Sequence, residues 1–230
     1  MFEGRKLLIA TQHGKEKIIA PIFEKEFGVR CIVNQLFNTD TLGTFSGEIE
    51  RKKDVITTLR QKCLSSLHHY ECDLVIASEG SFGAHPSVFF LPADEEHLML
   101  LDIKNNLEII ATELSTSTNF NGTYIATEQE LLEFSSNVQF PSHGLILKSD
   151  DSNFSICYKG ITNEKELLIQ FNQIQKMFGK IFVETDMRAC FNPTRMKVIE
   201  KTAHKLVEKM NTKCPTCDTP GFEIKEVTRG

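Results

Sequence analysis

Four consecutive apolar residues, Leu74-Val75-Ile76-Ala77, are entered from Asp73 and left through Ser78-Glu79-Gly80-Ser81-Phe82-Gly83 and Ala84-His85-Pro86. A run of this kind is long enough for a core strand, and a core strand demands other elements to bury it. Its exit into Ser, Glu and Gly delivers a carboxylate where flexible backbone lets a ligand approach closely. A surface loop carrying a solvated Glu79 explains the same letters.

The flanking segments supply the covering. Leu7 to Ala10, a polar turn, the apolar positions Ile18, Ile19, Ile22 and Phe23, and then Arg30 to Val33 read as strand, helix, strand within about thirty residues. Gly28 closes that helix, and Pro21 must fall in its first turn or kink it. Asp54 caps a helix whose apolar face is Val55, Ile56, Leu59, Cys63 and Leu67. Two β-hairpins follow from the turn chemistry. One spans Leu98–Ile103 and Leu107–Leu114 around Asn105-Asn106; the other spans Gly144–Lys148 and Phe154–Lys159. Thr127 with Glu130, Asn163 with Glu166, and Asn192-Pro193 open three further helices. The expected fold is α/β, a mixed twisted sheet with helices on its faces and two hairpins. Residues 1–210 would form one domain and 211–230 a tail.

With 40% hydrophobic and 25% charged residues, the 230-residue chain can bury a real core. A net charge of -5 with interspersed bases lacks the basic stripe that phosphate-backbone binding needs, so nucleic acid is not an expected partner. The apolar run near the N-terminus is too short for a signal peptide core or membrane span, which points to the cytoplasm and away from a membrane. Five of the seven cysteines fall within element-like segments and read as reduced core residues, while Cys214 and Cys217 have zinc-knuckle spacing and supply half a site. Homo-oligomerisation is left open.

Four constellations carry possible chemistry. Thr11, His13, Lys15 and Lys17 follow the first strand, where helix-start amides and cations can hold phosphate; a solvated polar turn reads the same way. Glu48 and Glu50, one residue apart, can share a hard cation such as Mg²⁺ or Mn²⁺ if extended, with Arg51, Arg60 and Lys62 available to phosphate oxygens or to surface ion pairs. Glu79 can bind metal or act as a general base, with Asp102 joining it and Ser78, Ser81 and His85 touching substrate. Asp186 and Arg188, then Arg195 beyond the Asn192-Pro193 cap, suit oxyanion recognition, or equally an ordinary cap and a buried Asp-Arg pair. His143 can line the same cleft. GxSxG, HExxH and P-loop lysine motifs do not occur in the sequence.

The phrases Gly43-Thr44-Phe45-Ser46-Gly47-Glu48-Ile49-Glu50-Arg51, Ala77 to Gly83, Phe140-Pro141-Ser142-His143-Gly144 and Glu184-Thr185-Asp186-Met187-Arg188-Ala189 resemble an uncharacterised bacterial family of unknown function. That resemblance implies a C-terminal cysteine-rich zinc ribbon, here shortened to Cys214 and Cys217. Ala10-Thr11-Gln12-His13, Thr58 to Cys63 and Asp73 to Phe82 are also similar, in order, to the inosine triphosphatase-like house-cleaning nucleoside triphosphate pyrophosphatases. This second resemblance implies phosphate contacts from Thr11, Lys15 and Lys62 and a metal or water role for Glu79. His13 stands where those enzymes usually have Asn. The expectation is a metal-dependent hydrolase of a nucleotide or other phosphorylated small molecule. Its alternative is a noncatalytic ligand-binding or protein-interaction module with a zinc-binding tail.

Overall fold

A computed structural model describes residues 1–11, 13–34 and 54–224. β1 (Lys6–Ala10), α1 (Glu16–Phe27) and β2 (Arg30–Val33) form the expected crossover unit, with β1 parallel to β2. α2 (Val55–Leu67) leads to β3 (Leu74–Ala84), which lies parallel to β1 on its other side. β4 (Pro92–Asp102) and β5 (Leu107–Ser115) continue the sheet antiparallel, giving the order β2-β1-β3-β4-β5.

Strand alternation sends apolar residues to both sides. Leu7, Ile9, Leu74, Ile76, Leu98 and Leu100 pack against α1 and against α5 (Pro193–Asn211). Leu8, Ala10, Val75, Ala77 and Met99 pack against Leu59 and Cys63 of α2. The central run is apolar throughout because both of its faces are covered.

The caps form where the local chemistry expects them. Asp54 accepts from Thr57 N, Thr127 and Glu130 complete a capping box, and Asn163 and Asn192 accept from the first-turn amides of their helices. Gly28 adopts φ +62° at the end of α1, while Pro21 lies beyond that helix's first turn. Both hairpins are present, and Asn106 takes the positive φ that its turn requires.

Two features go beyond the sequence expectation. β3 does not end at Ser78; it runs through Glu79 and Gly80 to Ala84, paired residue for residue with β4. The acid therefore sits inside a strand, not on a loop. Furthermore, the later elements do not extend the first sheet. β6 (Gly122–Ile125), β7 (Leu145–Lys148), β8 (Cys157–Ile161) and β9 (Ile181–Thr185) form a second, antiparallel sheet in the order β6-β9-β7-β8. It is covered by α3 (Glu128–Asn137) and α4 (Glu164–Phe178), whose Leu131, Phe134, Leu167, Phe171 and Ile174 share an apolar core with Leu145, Leu147, Ile161 and Val183.

α5 fastens the two sheets together. Its body packs Ile199, Ala203, Leu206 and Met210 on the first sheet, while its N-terminus engages the second part of the chain. There Asn192 Nδ2 donates to Asn119 Oδ1 at 2.8 Å, and His143 Nε2 lies 2.8 Å from Thr194 Oγ1. No helix among the described residues is long and apolar enough to cross a membrane.

The end of β3 and β4 remote from Glu79 is pinned by Arg5, which reaches Asp73 at 2.7 Å and Asp102 at 2.6 and 2.8 Å. Asp102 is fully buried. Arg5→Met is expected to lower unfolding stability by about 3 kcal/mol, measured by urea denaturation, because it strands that carboxylate without its counter-charge.

Candidate functional site

The C-terminal ends of the parallel strands β1 and β3 lie side by side, Ala10 opposite Ala77. Ligands bind at such ends in open α/β sheets because loops and helix starts converge there. Ser78 and Glu79 come next along β3, and alternation turns them to opposite faces. On the α1 side, Lys15 Nζ donates to Ser78 Oγ at 2.9 Å. On the α2 side, Lys62 forms a direct ion pair with Glu79.

Gly80 and Phe82 continue the Ser78 face, and their partners across the ladder are Glu96 and Asp94. Arg195, from the first turn of α5, reaches over this face. Its Nε donates to Glu96 Oε1 at 2.5 Å, its Nη1 donates to the Met187 carbonyl, and its guanidinium stands 4.9 Å from the Phe82 ring. Residue 80 is glycine because no Cβ fits: it would lie 2.5 Å from both Arg195 Nη2 and Glu96 Oε1.

Three bases and three acids are thus gathered with almost no exposure: Lys15 6%, Lys62 7%, Arg195 6%, Glu79 7%, Asp94 0% and Glu96 0%. Desolvation makes each costly, and the pairs Lys62–Glu79 and Arg195–Glu96 offset part of that cost. Burial, reinforced by Arg195, pushes the Lys15 ammonium down to about 8. Burial and then Glu96 push the Asp94 carboxyl up to about 8. Burial also works against the Arg195 charge, but Glu96 more than restores it and holds the guanidinium above its ordinary value. His97, opposite Glu79 on β4, is fixed by Thr112 Oγ1 at 2.9 Å from its Nδ1.

Of the residues singled out from the sequence, Lys15, Lys62, Ser78, Glu79 and Arg195 converge, and Thr11 is buried at the end of β1 beside them. Glu48 and Glu50 lie outside the described residues. Asp102 does not join Glu79: it faces Leu74 at the other end of β3, where Arg5 and Asn105 hold its carboxyl below the usual range despite burial. Arg60 forms a two-pronged surface pair with Glu108 at 2.7 Å. His85 Nδ1 accepts from the Ser87 and Val88 amides and closes a turn. Ser81 is partly buried on the Glu79 face of β3. His13 sits in the turn before α1 at φ +66°, beside a shallow cleft shared with Lys17, Pro193 and Met196.

His143, with its pKa lowered by burial, bridges Ser142 and Thr194. Asp186, fully buried, pairs with the half-buried Arg188, 2.6 Å at its shortest, and also accepts from the Gly160 amide at 3.0 Å. Cys214 and Cys217 lie in a tight turn closed by the Asp218 amide donating to the Cys214 carbonyl, and hydrogen bonding from Thr219, then Cys214, draws the Cys217 thiol pKa down. Among the described residues no three His, Cys, Asp or Glu side chains form a ready-made metal cluster.

Asp94 and Glu96 were missed. Their signal was spacing: both fall on the period-2 face that continues into Leu98 and Leu100, so a strand that far back must turn two acids inward. Beyond Gly83 and Ala84 a cleft of about 590 Å³ is lined by Phe89, Phe90, Phe120 and Phe182.

These features define a two-sheet α/β protein with a buried centre of acids and bases at the ends of its parallel strands. The chain belongs to the family described as a domain of unknown function (DUF6671), whose model matches residues 62–230. No curated protein matches it.

Lys15 makes the stability of the centre depend on pH. Its proton leaves at about pH 8 in the folded chain, against an ordinary 10.5. Between those values the unfolded chain holds the extra proton, so this residue makes stability rise with pH across that window. Lys15→Met is expected to be more stable than the parent at pH 7.5, with the gap shrinking by about 3 kcal/mol by pH 10.5 in urea denaturation.

Proposed function

We propose that the chain is a metal-dependent hydrolase of phosphorylated small molecules, with a nucleotide as the preferred class. The observation that carries this reading is the set of buried bases, Lys15, Lys62 and Arg195, around Ser78 and Glu79 at the strand ends. Buried cations with fixed geometry stabilise charge on phosphate oxygens far better than solvated ones. The aromatic cleft beside Ala84 suits the planar organic part of a nucleotide.

In this reading Lys15, Ser78 and Arg195 bind phosphate oxygens. Lys62 keeps Glu79 oriented. Glu79 accepts a proton from water as the water oxygen bonds to phosphorus, and the bond from phosphorus to the leaving oxygen breaks with its electron pair going to that oxygen. A divalent ion, when bound, supplies charge neutralisation at the phosphate. The carboxylate chemistry of the site fits such an ion, since Asp94 is buried with neither oxygen hydrogen-bonded to any described residue.

Nucleoside triphosphates supplied with Mg²⁺ or Mn²⁺ are expected to release phosphate or pyrophosphate. Glu79→Gln should lower kcat about 10²- to 10⁴-fold while the circular dichroism spectrum is kept. Absence of turnover across the panel, or equal turnover in the variant, overturns the reading.

The adjacent thiols of Cys214 and Cys217 favour a second one, a noncatalytic module whose tail takes zinc. Stoichiometric zinc by elemental analysis, lost in Cys214→Ser and accompanied by no turnover, would support it.

A further inference from the structure

Among the described residues three carboxylate oxygens at the centre have no hydrogen-bond partner: both of Asp94 and Oε2 of Glu96, all in fully buried side chains. Arg195 Nε serves Glu96 Oε1, Arg195 Nη1 serves the Met187 carbonyl, and Lys15 serves Ser78. A buried acceptor without a donor costs free energy comparable to a lost hydrogen bond, and three on one strand face call for a partner. Asp94 and Glu96 are two residues apart on β4 and therefore point to the same side, where the missing Cβ of Gly80 makes room for the Glu96 carboxylate and the Arg195 guanidinium.

We propose that Asp94 and Glu96 hold the divalent cation, Mg²⁺ or Mn²⁺, through these three oxygens, and that the cation enters together with a phosphate group. The assignment rests on the hydrolase reading and deepens it, moving the metal away from Glu79, whose carboxylate is taken by Lys62. Hard oxygen donors select hard cations, and Mg²⁺ is held by one or two carboxylates plus water and substrate phosphate rather than by an all-protein cage. Joint entry follows from charge. Lys15 and Arg195 stand on the same face as Asp94 and Glu96, so a phosphate group arriving with the ion meets cationic donors there as well as the metal.

The probe is Mn²⁺, titrated into the whole chain with and without inorganic pyrophosphate and followed by the electron paramagnetic resonance signal of the free ion. The cysteine pair, being soft, competes poorly for this ion. One Mn²⁺ per chain is expected, tightened at least tenfold by pyrophosphate and weakened at least tenfold by Asp94→Asn. Asp94→Asn is nearly isosteric, its unfolding midpoint reports on folding, and Glu96→Gln provides the second variant. No saturable Mn²⁺, or parental affinity in both variants, overturns the assignment. Mn²⁺ bound through Asp94 without turnover of any phosphate ester retires the hydrolase and keeps the cation. Unchanged turnover and metal dependence in Asp94→Asn does the reverse.

Discussion

The pairing of Arg195 with Glu96 is the contact on which the arrangement of this molecule depends. It joins the first turn of α5 to β4, and the same guanidinium reaches the Met187 carbonyl beyond β9 and covers the Phe82 ring on β3. A single planar group therefore touches the first sheet twice and the end of the second sheet once. Arginine suits this place where lysine would not, because its rigid fork spreads several donors in one plane. Desolvating the pair is expensive, and replacing either partner alone would leave the other charged and buried. Gly80 is part of the same device, since any side chain there would push the guanidinium off its acid.

Around that pairing the centre uses both faces of one sheet. Ser78, Gly80, Asp94 and Glu96 face α1 and α5, while Glu79 and His97 face α2. The two sets meet where β1 has ended and β3 continues, so Lys15 feels Glu96 on its own side and Lys62 and Glu79 on the other. Adjacent residues of a strand normally have little to do with each other. They do here because the neighbouring parallel strand stops at Ala10.

What the sequence disclosed was mostly local. Caps at Asp54, Thr127, Asn163 and Asn192, the αL glycine at 28 and the two hairpin turns are decided by residues within one turn of each other, and all are found. The length of β3 is decided by β4, whose pairing residues lie up to 28 positions further along, and no periodicity within 73–83 reports that partner. Asp102 illustrates the same limit. An acid at the end of an apolar strand looks alike at either edge of a sheet, and strand direction puts this one beside Arg5. Lys15, Lys62, Ser78, Glu79 and Arg195 were legible because each sits at the start of a helix, on a helix face or at a strand exit; Asp94 and Glu96 were hidden in a run of acids that resembles a solvated turn.

The Arg5 clamp bears on how the β3–β4 hairpin behaves mechanically. Arg5 grips Asp73 and Asp102 at one end, and the sheet supports the hairpin on both sides for the next few residues. Past Ala77 β1 falls away, and past Asp94 β5 does as well. The hairpin is then a cantilever, anchored at its root and carrying the charged centre along its span. A load applied at its tip, near Phe89 and Phe90, would bend it about the point where β5 ends, at Asp94 and Phe82, next to the Arg195 guanidinium.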